Sequence, residues 1–405
     1  MERERGMHFK LSQGSKKYLS SVKKLFSSRT LGNSGFSSNF ALIKDKVMAN
    51  KKIKKPGLFG IKHSNRDFEQ KDAWGKNQFN SSFPVALASY MGHKNIDNAY
   101  LTLDKKQQVR CGKVSTHKLF GIAPDSDDLF YSFESVYTPY ERFVIGELPR
   151  VDLVTQKRSD GVALKGMEIK LTALPDNSTC NLSDDLFGTE IVTRPPTIIY
   201  LACSIASLYQ KSHTSLRQYF DVKFDKLRDW ANPEIVLPHI KDMIDSLDKI
   251  LSENNSRQVP VVMQPVWKTE GKSPRLAENC LDVFIWSNFA FVELIVRELR
   301  NQQISKITRQ ARTLVWLFKM LYDFSKTGQF YPKQIIDDYS YNTLNDKAFA
   351  VSGIVTHSFM QSPELTTPRI KRNEIKNIIL GGGQNLLSPE RRFDAIIFNT
   401  PELFD

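Results

Sequence analysis

The chain has 405 residues, of which 40% are hydrophobic and 25% charged, a composition normal for a soluble globular protein with a substantial core. The formal net charge is +13, but residues 1–55 hold 14 basic and 3 acidic side chains and so supply +11 of it. The rest of the chain is nearly neutral, so the total charge does not by itself indicate a nucleic-acid partner.

Local sequence argues against a membrane protein and against a disulfide scaffold. The longest apolar stretches, Ile198–Tyr209 and Leu281–Val296, are too short or too often interrupted by polar residues to span a bilayer. We therefore expect a cytoplasmic protein with reduced thiols. The four cysteines are too few and too widely spaced for a disulfide framework or a zinc knuckle: Cys111, Cys180, Cys203 and Cys280.

The N-terminal segment, residues 1–53, is rich in Ser, Lys and Arg and poor in aromatic residues. Three interpretations remain open: a disordered basic arm, a transit-like peptide, or residues translated from an upstream start, which the internal Met7 and Met48 make reasonable. We expect one folded domain over residues 54–405 and assign no catalytic role to the extension.

The first predicted elements that bear on function lie between residues 138 and 173. Thr138-Pro139-Tyr140-Glu141 has the form of a capping box with proline at the first helical position, which predicts a short helix. Two strands are predicted to follow, over Arg150–Gln156 and Val162–Ala173. Ser159-Asp160-Gly161 provides typical turn residues between them.

Helices dominate the prediction for the rest of the chain, with one buried strand expected at Val259–Trp267. The apolar periodicity predicts helices over Arg194–Gln210, Asn232–Asn254, Leu281–Arg300 and Ile304–Ser325. The first of these either follows Pro195-Pro196 or includes them. Gly381-Gly382-Gly383 is expected to be a flexible break before a helix start at Ser388. These elements predict a mixed α/β protein with a central mixed β-sheet, flanking helices and additional helical cover.

The second predicted strand has one apolar and one charged face. Met167, Ile169 and Leu171 alternate with Glu168 and Lys170, so the charged side chains project together while the apolar ones enter the core. Metal-dependent cleavage of phosphodiesters needs carboxylates that hold a hard cation, usually Mg²⁺, and a group that positions the attacking water. A lysine beside the cation can also offset the charge that develops on the phosphate.

The turn between the strands brings a second acid to this site. Asp152 precedes Asp160 by eight residues and Glu168 follows it by eight. A hairpin that turns at Asp160 therefore sets Asp152 opposite Glu168, with side-chain roots about 5 Å apart. Two carboxylates at that distance repel each other unless a cation or a proton joins them, which favours a metal site.

The minimal pattern of an acid, any residue and a lysine is common. The predicted hairpin, with a second acid opposite the first, distinguishes Glu168/Lys170 from the other matches. Five further matches occur, at Glu69/Lys71, Asp104/Lys106, Asp221/Lys223, Glu270/Lys272 and Glu374/Lys376. The strongest competitor pairs Glu364 with Glu374 and Lys376, but Pro368 and a basic run lie between them. The alternative for Glu168 and Lys170 is a solvated strand face, with Asp152 as a surface acid.

Two further acids precede the first strand. Glu141 and Glu147 lie on or just after the predicted short helix and are candidate extra metal ligands or water-orienting groups. The alternative is that Glu141 completes the capping box and Glu147 is a surface residue.

With these residues the chain resembles the PD-(D/E)xK nuclease superfamily. Pro149-Arg150-Val151-Asp152 corresponds to the first motif, although the proline does not directly precede the aspartate, and Glu168-Ile169-Lys170 corresponds to the second. More narrowly, the chain is similar to restriction endonucleases of the HindVP type from Lys54 almost to its C-terminus. The stretches that carry this similarity are Lys55–Gly60, Trp74–Pro84, Glu168–Asp176 and Gly383–Pro389.

The resemblance implies a restriction-endonuclease-like core and a type II enzyme that cuts double-stranded DNA at a short palindrome with Mg²⁺. It implies GRCGYC as a candidate target, metal binding by Asp152, Glu168 and the main-chain carbonyl of Ile169, and water positioning by Lys170. A palindromic target suits a homodimer in which each subunit cuts one strand. A restriction system would also contain a cognate DNA methyltransferase.

Two groups of basic residues are candidate DNA contacts. One follows the predicted strand at Val259–Trp267, in a polar loop suited to reading a groove, and comprises Lys268, Lys272 and Arg275. The other would form one helical stripe that grips phosphates, and comprises Lys306, Arg309 and Arg312. The alternative for the second group is a solvated helix face.

Three functions are therefore weighed. The first is a site-specific restriction endonuclease, and the second is a repair or mobile-element nuclease with the same core. The third is a noncatalytic nucleic-acid-binding protein that binds through its basic arm. Intact Asp152, Glu168 and Lys170 speak against the third.

Overall fold

A computed structural model describes residues 84–85, 87–103, 109–169, 192–265, 268–270, 273–275, 283–300, 303–341, 343 and 349–350. All of them belong to one compact unit of the chain. The predictions for residues 1–53, Lys170, Lys272, Gly381-Gly382-Gly383 and Ser388 lie outside the described residues.

The described residues form eleven strands and eight α-helices, joined in places by short 3₁₀ helices. The strands are β1 (Asn98–Leu103), β2 (Val109–Val114), β3 (Leu129–Ser135), β4 (Val151–Lys157), β5 (Ala163–Ile169), β6 (Val192–Thr193), β7 (Pro260–Pro265), β8 (Lys268–Glu270), β9 (Ser273–Arg275), β10 (Val283–Ser287) and β11 (Phe349–Ala350). The helices are α1 (described over 84–85 and 87–93), α2 (Thr116–Phe120), α3 (Pro195–Leu208), α4 (Pro233–Val236), α5 (Ile240–Glu253), α6 (Asn288–Arg300), α7 (Arg309–Thr327) and α8 (Pro332–Asp338). The 3₁₀ helices are Thr138–Phe143, His213–Tyr219, Val222–Asp225, Leu237–His239 and Asn255–Arg257.

Seven strands form one mixed sheet in the order β2-β1-β10-β7-β5-β4-β3. β1 is parallel to β10 and β5 is parallel to β7, whereas the other neighbouring strands are antiparallel. The strand pairs β6–β11 and β8–β9 form two small separate sheets. This arrangement confirms the predicted α/β fold with a central mixed sheet.

Helices cover both faces of the large sheet. On one face, β4, β7 and β10 contribute Val154, Val262 and Trp286 to a large core with α3, α5, α6 and α7. On the other face, Leu153 and Met167 pack with α1 and α2 in a smaller core. The alternation along β4 and β5 therefore places successive side chains in two different cores, with Asp152 and Glu168 directed toward the α3 side.

The predicted helix over Leu281–Arg300 is wrong in its first part. Val283–Ser287 forms β10, the strand between β1 and β7, and α6 begins only at Asn288. All five β10 residues are buried, so their sequence lacks the alternation that would have indicated a strand. Asn288 ends the strand by exchanging hydrogen bonds with the backbone of Val259, at 2.8 and 2.9 Å.

The other predicted helices are found with shifted bounds. α3 begins at Pro195 and so includes both prolines, one of the two alternatives. α7 begins at Arg309 because Thr308 caps its first turn through a bond from Ala311 N of 3.2 Å. The helix predicted over Asn232–Asn254 is divided into α4, a 3₁₀ turn at Leu237–His239 and α5. The predicted strand at Val259–Trp267 is confirmed as β7.

Two of the four cysteines are described, Cys111 and Cys203, and Cys203 is a buried free thiol. Burial raises the pKa of Cys203 well above its ordinary value, so this thiol is a core group rather than a nucleophile. Cys180 and Cys280 lie outside the described residues. Over the part of the chain that the structure describes, no helix is both long enough and apolar enough to cross a membrane.

Candidate active site

At the acids the β4–β5 hairpin has the register expected from its sequence, although the register shifts by one residue between Thr155 and Gln156. Leu153 pairs with Met167 and Val154 with Gly166, and one further step along the same register sets Asp152 opposite Glu168. The turn is closed by a bond from Lys157 N to Val162 O of 2.9 Å. Because the side-chain period of a strand is two, both acids project from the same face.

The backbone of β5 orients Asp152. Ile169 N donates a hydrogen bond of 2.8 Å to Asp152 Oδ2, so the carboxylate of one strand is tied to the end of its neighbour. Both acids are half-buried, which strengthens their interaction with any charge that enters the site. Val262 of β7 lies beside Glu168 in parallel register and forms the next part of the surface.

Helix α3 contacts the second acid. Thr197, in the first turn of α3, is almost completely buried, and its hydroxyl donates to Glu168 Oε1 at 3.4 Å. This bond is long, but its acceptor is a carboxylate, which makes it stronger than a neutral bond of the same length.

Tyr200 connects three segments around the site. Its hydroxyl donates to Pro149 O at 2.8 Å and accepts from Tyr137 N at 3.0 Å. Burial raises the pKa of Tyr200 above its ordinary value, and the negative charges of Glu168 and Glu141 raise it further. The phenol is therefore neutral and acts as a fixed hydrogen-bonding bridge.

A glycine in β5 allows Tyr137 to approach the sheet. A Cβ atom at Gly166 would lie 2.8 Å from Cγ of the Tyr137 ring, closer than real Cβ contacts. In this position the Tyr137 hydroxyl donates to Leu164 O at 3.0 Å. Gly166 lies two residues before Glu168 in β5, so the tyrosine packs on the face of the strand that carries the acid.

The predicted capping box is wrong. The short helix is present as a 3₁₀ helix over Thr138–Phe143, but its N-cap is Tyr137 and no side chain caps it. The tight 3₁₀ turn places the residues differently from the first turn of an α-helix. Glu141 and Glu147 are both exposed, and Glu141 lies close enough to Tyr200 to affect its pKa.

The acid pair suits a hard cation. Mg²⁺ takes oxygen ligands, usually one or two carboxylates, with water and phosphate in its other positions. Asp152 and Glu168 supply such a pair, but they do not form a cluster of three or more acidic, histidine or cysteine ligands with other described residues. Lys170, the predicted water-positioning residue, lies directly after β5 and outside the described residues.

The structure separates the three basic residues predicted to form one helical stripe. Lys306 is exposed and precedes the N-cap of α7, whereas Arg309 is half-buried in its first turn. Arg312 is only 2% exposed, donates to Thr343 O at 2.8 Å and lies 4.5 Å from the centre of the Trp316 ring. Since its guanidinium is held inside the protein, Arg312 is not available to contact DNA.

The other basic group lies on a two-stranded ribbon rather than in an irregular loop. β8 and β9 are antiparallel, and Lys268 is paired with Arg275. The ribbon begins three residues after Pro265, the end of β7, and Met263 of β7 is paired with Ile169. Three residues span at most about 11 Å. The ribbon therefore emerges at the end of the sheet that carries the acids.

Thr197, Tyr200 and Tyr137 were missed by sequence reasoning. They belong to no motif, and their contacts around the site join residues that are 29 to 63 positions apart. The available signal was the pair of prolines at the start of α3, which fixes the helix register and puts Thr197 and Tyr200 on one face.

Comparisons with known proteins identify the family of the chain. The family model of the HindVP restriction endonuclease matches residues 74–404. The type II restriction enzyme HgiDI of Herpetosiphon aurantiacus is 45% identical over 353 residues, which cover 87% of this chain and 98% of that protein. The probable type II restriction enzyme HindVP of Haemophilus influenzae is 47% identical over 354 residues, which cover 86% and 95%. No solved structure matches the chain significantly. The chain belongs to the HindVP restriction endonuclease family.

Proposed function

We propose that this protein is a type II restriction endonuclease that hydrolyses both strands of duplex DNA at a short palindrome with Mg²⁺. The observation that carries the proposal is the β4–β5 register, which sets Asp152 opposite Glu168 on one half-buried face. Membership of the HindVP restriction endonuclease family supports the reaction class. The similarity to HgiDI and to the probable enzyme HindVP supports the type II assignment.

In this proposal Asp152, Glu168 and the main-chain carbonyl of Ile169 bind the cation. The bound cation would polarise the scissile phosphate and activate the attacking water. The bond from Ile169 N limits the rotation of the Asp152 carboxylate, so little ordering is needed when DNA arrives.

Lys170 orients the water and offsets the negative charge that develops on the phosphate. Water attacks phosphorus as one P–O bond breaks, which leaves a phosphate on one new end and a hydroxyl on the other. Because one site cuts one strand, we propose a two-fold symmetric homodimer for double-strand cleavage. We also propose a methyltransferase of the same specificity, which would protect the host DNA.

The β8–β9 ribbon is the proposed DNA-reading element. Its register pairs two basic residues, Lys268 and Arg275, and the ribbon begins three residues after β7, at the end of the sheet that carries the acids. Basic residues are the usual contacts to DNA phosphates and to guanine in the major groove. Lys272, between the two strands, belongs to the same proposed contact, and Lys306 and Arg309 are proposed phosphate contacts.

Digestion of long duplex DNA tests the proposal. Discrete bands are expected with Mg²⁺, starting with a substrate that contains GRCGYC, and EDTA should abolish them. Asp152→Asn, Glu168→Gln and Lys170→Ala should each lower the cleavage rate at least about a thousandfold, the scale on which single catalytic groups act.

Asp221→Asn is the matched control. Asp221 begins another acid-x-lysine match, but its carboxylate caps a 3₁₀ helix through a bond from Lys223 N of 2.9 Å. Asparagine caps equally well, so cleavage should be unchanged. A smear or single-strand nicks would favour a repair or mobile-element nuclease. Binding without cleavage, unaffected by Lys170→Ala, would favour a noncatalytic protein.

A further inference from the structure

Two side chains of α3 form hydrogen bonds at the candidate site, one to Glu168 and one to the segment that leads to Asp152. Thr197 and Tyr200 are three residues apart, so they lie on one face of the helix. Thr197 donates to the Glu168 carboxylate at 3.4 Å, and Tyr200 donates to the carbonyl of Pro149 at 2.8 Å. Pro149 lies three residues before Asp152, on the segment that leads into β4.

The hydroxyl of Thr197 has no acceptor in its own helix. A threonine within a helix commonly bonds to the carbonyl one turn earlier, but Thr197 is the third residue of α3, so that carbonyl does not belong to the helix. The hydroxyl donates to a carboxylate of the candidate site. Thr197 and Tyr200 are 1% and 5% exposed, so water has little access to either group.

We propose that Thr197 and Tyr200 are positioning residues that keep Glu168 and Asp152 at the separation at which the pair binds a cation. Tyr200 also accepts from Tyr137 N at 3.0 Å, so α3, the end of β3 and the start of β4 are held as one unit. The inference rests on the proposed metal-dependent cleavage at Asp152 and Glu168.

The test compares Thr197→Val with Thr197→Ser. Valine keeps the volume but removes the hydroxyl, whereas serine keeps the hydroxyl. Thr155→Val is the matched control, since Thr155 is also fully buried, lies on β4 and donates to Phe120 O at 2.8 Å on the opposite side of the sheet.

Tyr200→Phe has its own matched control in Tyr131→Phe. Tyr131 is buried at 3% exposure, and its hydroxyl bonds to Ser89 Oγ at 3.0 Å in the smaller core. Both substitutions remove one buried phenolic hydroxyl, but only Tyr200 is linked to the acid pair. Thermal unfolding of every variant measures the loss of stability separately.

The main readout is binding of Mn²⁺ to the full chain without DNA, measured by the EPR signal of the free ion, so that no turnover is involved. Thr197→Val and Tyr200→Phe should weaken Mn²⁺ binding about three- to tenfold, the effect of losing one hydrogen bond. Thr197→Ser should bind like the wild type, and the controls at Thr155 and Tyr131 should lower thermal stability without changing the affinity for Mn²⁺.

Wild-type Mn²⁺ affinity in Thr197→Val would overturn the inference. An equal loss in Thr197→Ser, or in the two controls, would also overturn it, because the effect would then come from packing. Glu168→Gln separates this result from the proposed function. If that variant still cleaves DNA, the proposed function fails. If it loses cleavage and Mn²⁺ binding while Thr197→Val keeps both, only the positioning role fails.

Discussion

Arg312 provides a sharp test of whether a basic residue in α7 serves DNA binding or the core. Arg312→Lys keeps the positive charge but replaces the planar guanidinium, which lies 4.5 Å from the centre of the Trp316 ring and donates to Thr343 O at 2.8 Å. Burial already lowers the pKa of Arg312 to about 10, so the protein depends on these contacts to keep the charged group inside. A phosphate contact at an exposed position would tolerate the same exchange.

The expected cost follows from the contacts that lysine does not reproduce. Weaker bonding to Thr343 costs about 1 kcal/mol, and loss of the stacking on Trp316 costs another 0.5–1 kcal/mol, about 2 kcal/mol in total. Urea denaturation should show this decrease in the free energy of unfolding. Arg309→Lys, the control in the preceding turn, should stay within about 0.5 kcal/mol of the wild type.

DNA affinity as a function of salt completes the assay. Each phosphate contact contributes about 0.9 to the slope of log affinity against log salt concentration. Folded Arg312→Lys should keep the wild-type slope, whereas Arg309→Ala should reduce it by about one if Arg309 contacts a phosphate as proposed. The reasoning would be refuted if Arg312→Lys were as stable as the wild type but bound DNA with a smaller slope.

Three further results are expected. Burial raises the pKa of Glu293 to about 7, so the folded protein holds a proton that the unfolded chain releases near pH 4.5. The free energy of unfolding should therefore fall by about 1–3 kcal/mol from pH 5 to 8, and urea denaturation should show no such fall in Glu293→Gln. Gly166→Ala forces a methyl group against Tyr137 and should lower the free energy of unfolding by about 1–3 kcal/mol and slow cleavage, whereas Gly112→Ala, with its nearest contact at 3.6 Å, should be close to neutral in thermal unfolding. Deletion of residues 1–47 should leave the cleavage rate unchanged, and loss of cleavage would show that the extension belongs to the enzyme.

Local sequence was sufficient to predict a hairpin that carries the acids. β4 and β5 are adjacent in the chain and joined by a short turn, and the alternation around Glu168 indicates which side chains share a face. The turn alone does not set the pairing of the acids, because the register shifts by one residue between Thr155 and Gln156. The prolines before Thr197 likewise indicated the start of α3. In each case the residues that determine the element lie within a few positions of each other.

Local sequence patterns did not predict contacts between residues that are distant in the chain. The apolar sequence of Val283–Ser287 is equally typical of a buried helix, and only its pairing with β1 and β7 shows that it is a strand. Arg312 has the spacing of a surface stripe, and only the packing of Thr343 and Trp316 around it shows a core residue. Periodicity describes one element at a time and does not show which element covers it.

The sequence by itself indicated the reaction class and the candidate acid pair, because the pair lies on one local hairpin and in motifs that resemble those of a known family. Only the tertiary structure decided what surrounds that pair: Thr197 on Glu168, Tyr200 on the segment before Asp152, and a basic ribbon at the same end of the sheet. The physical reason is that side-chain orientation in the site depends on hydrogen bonds from residues far away in the chain, and these partners meet only when the sheet and α3 have packed together.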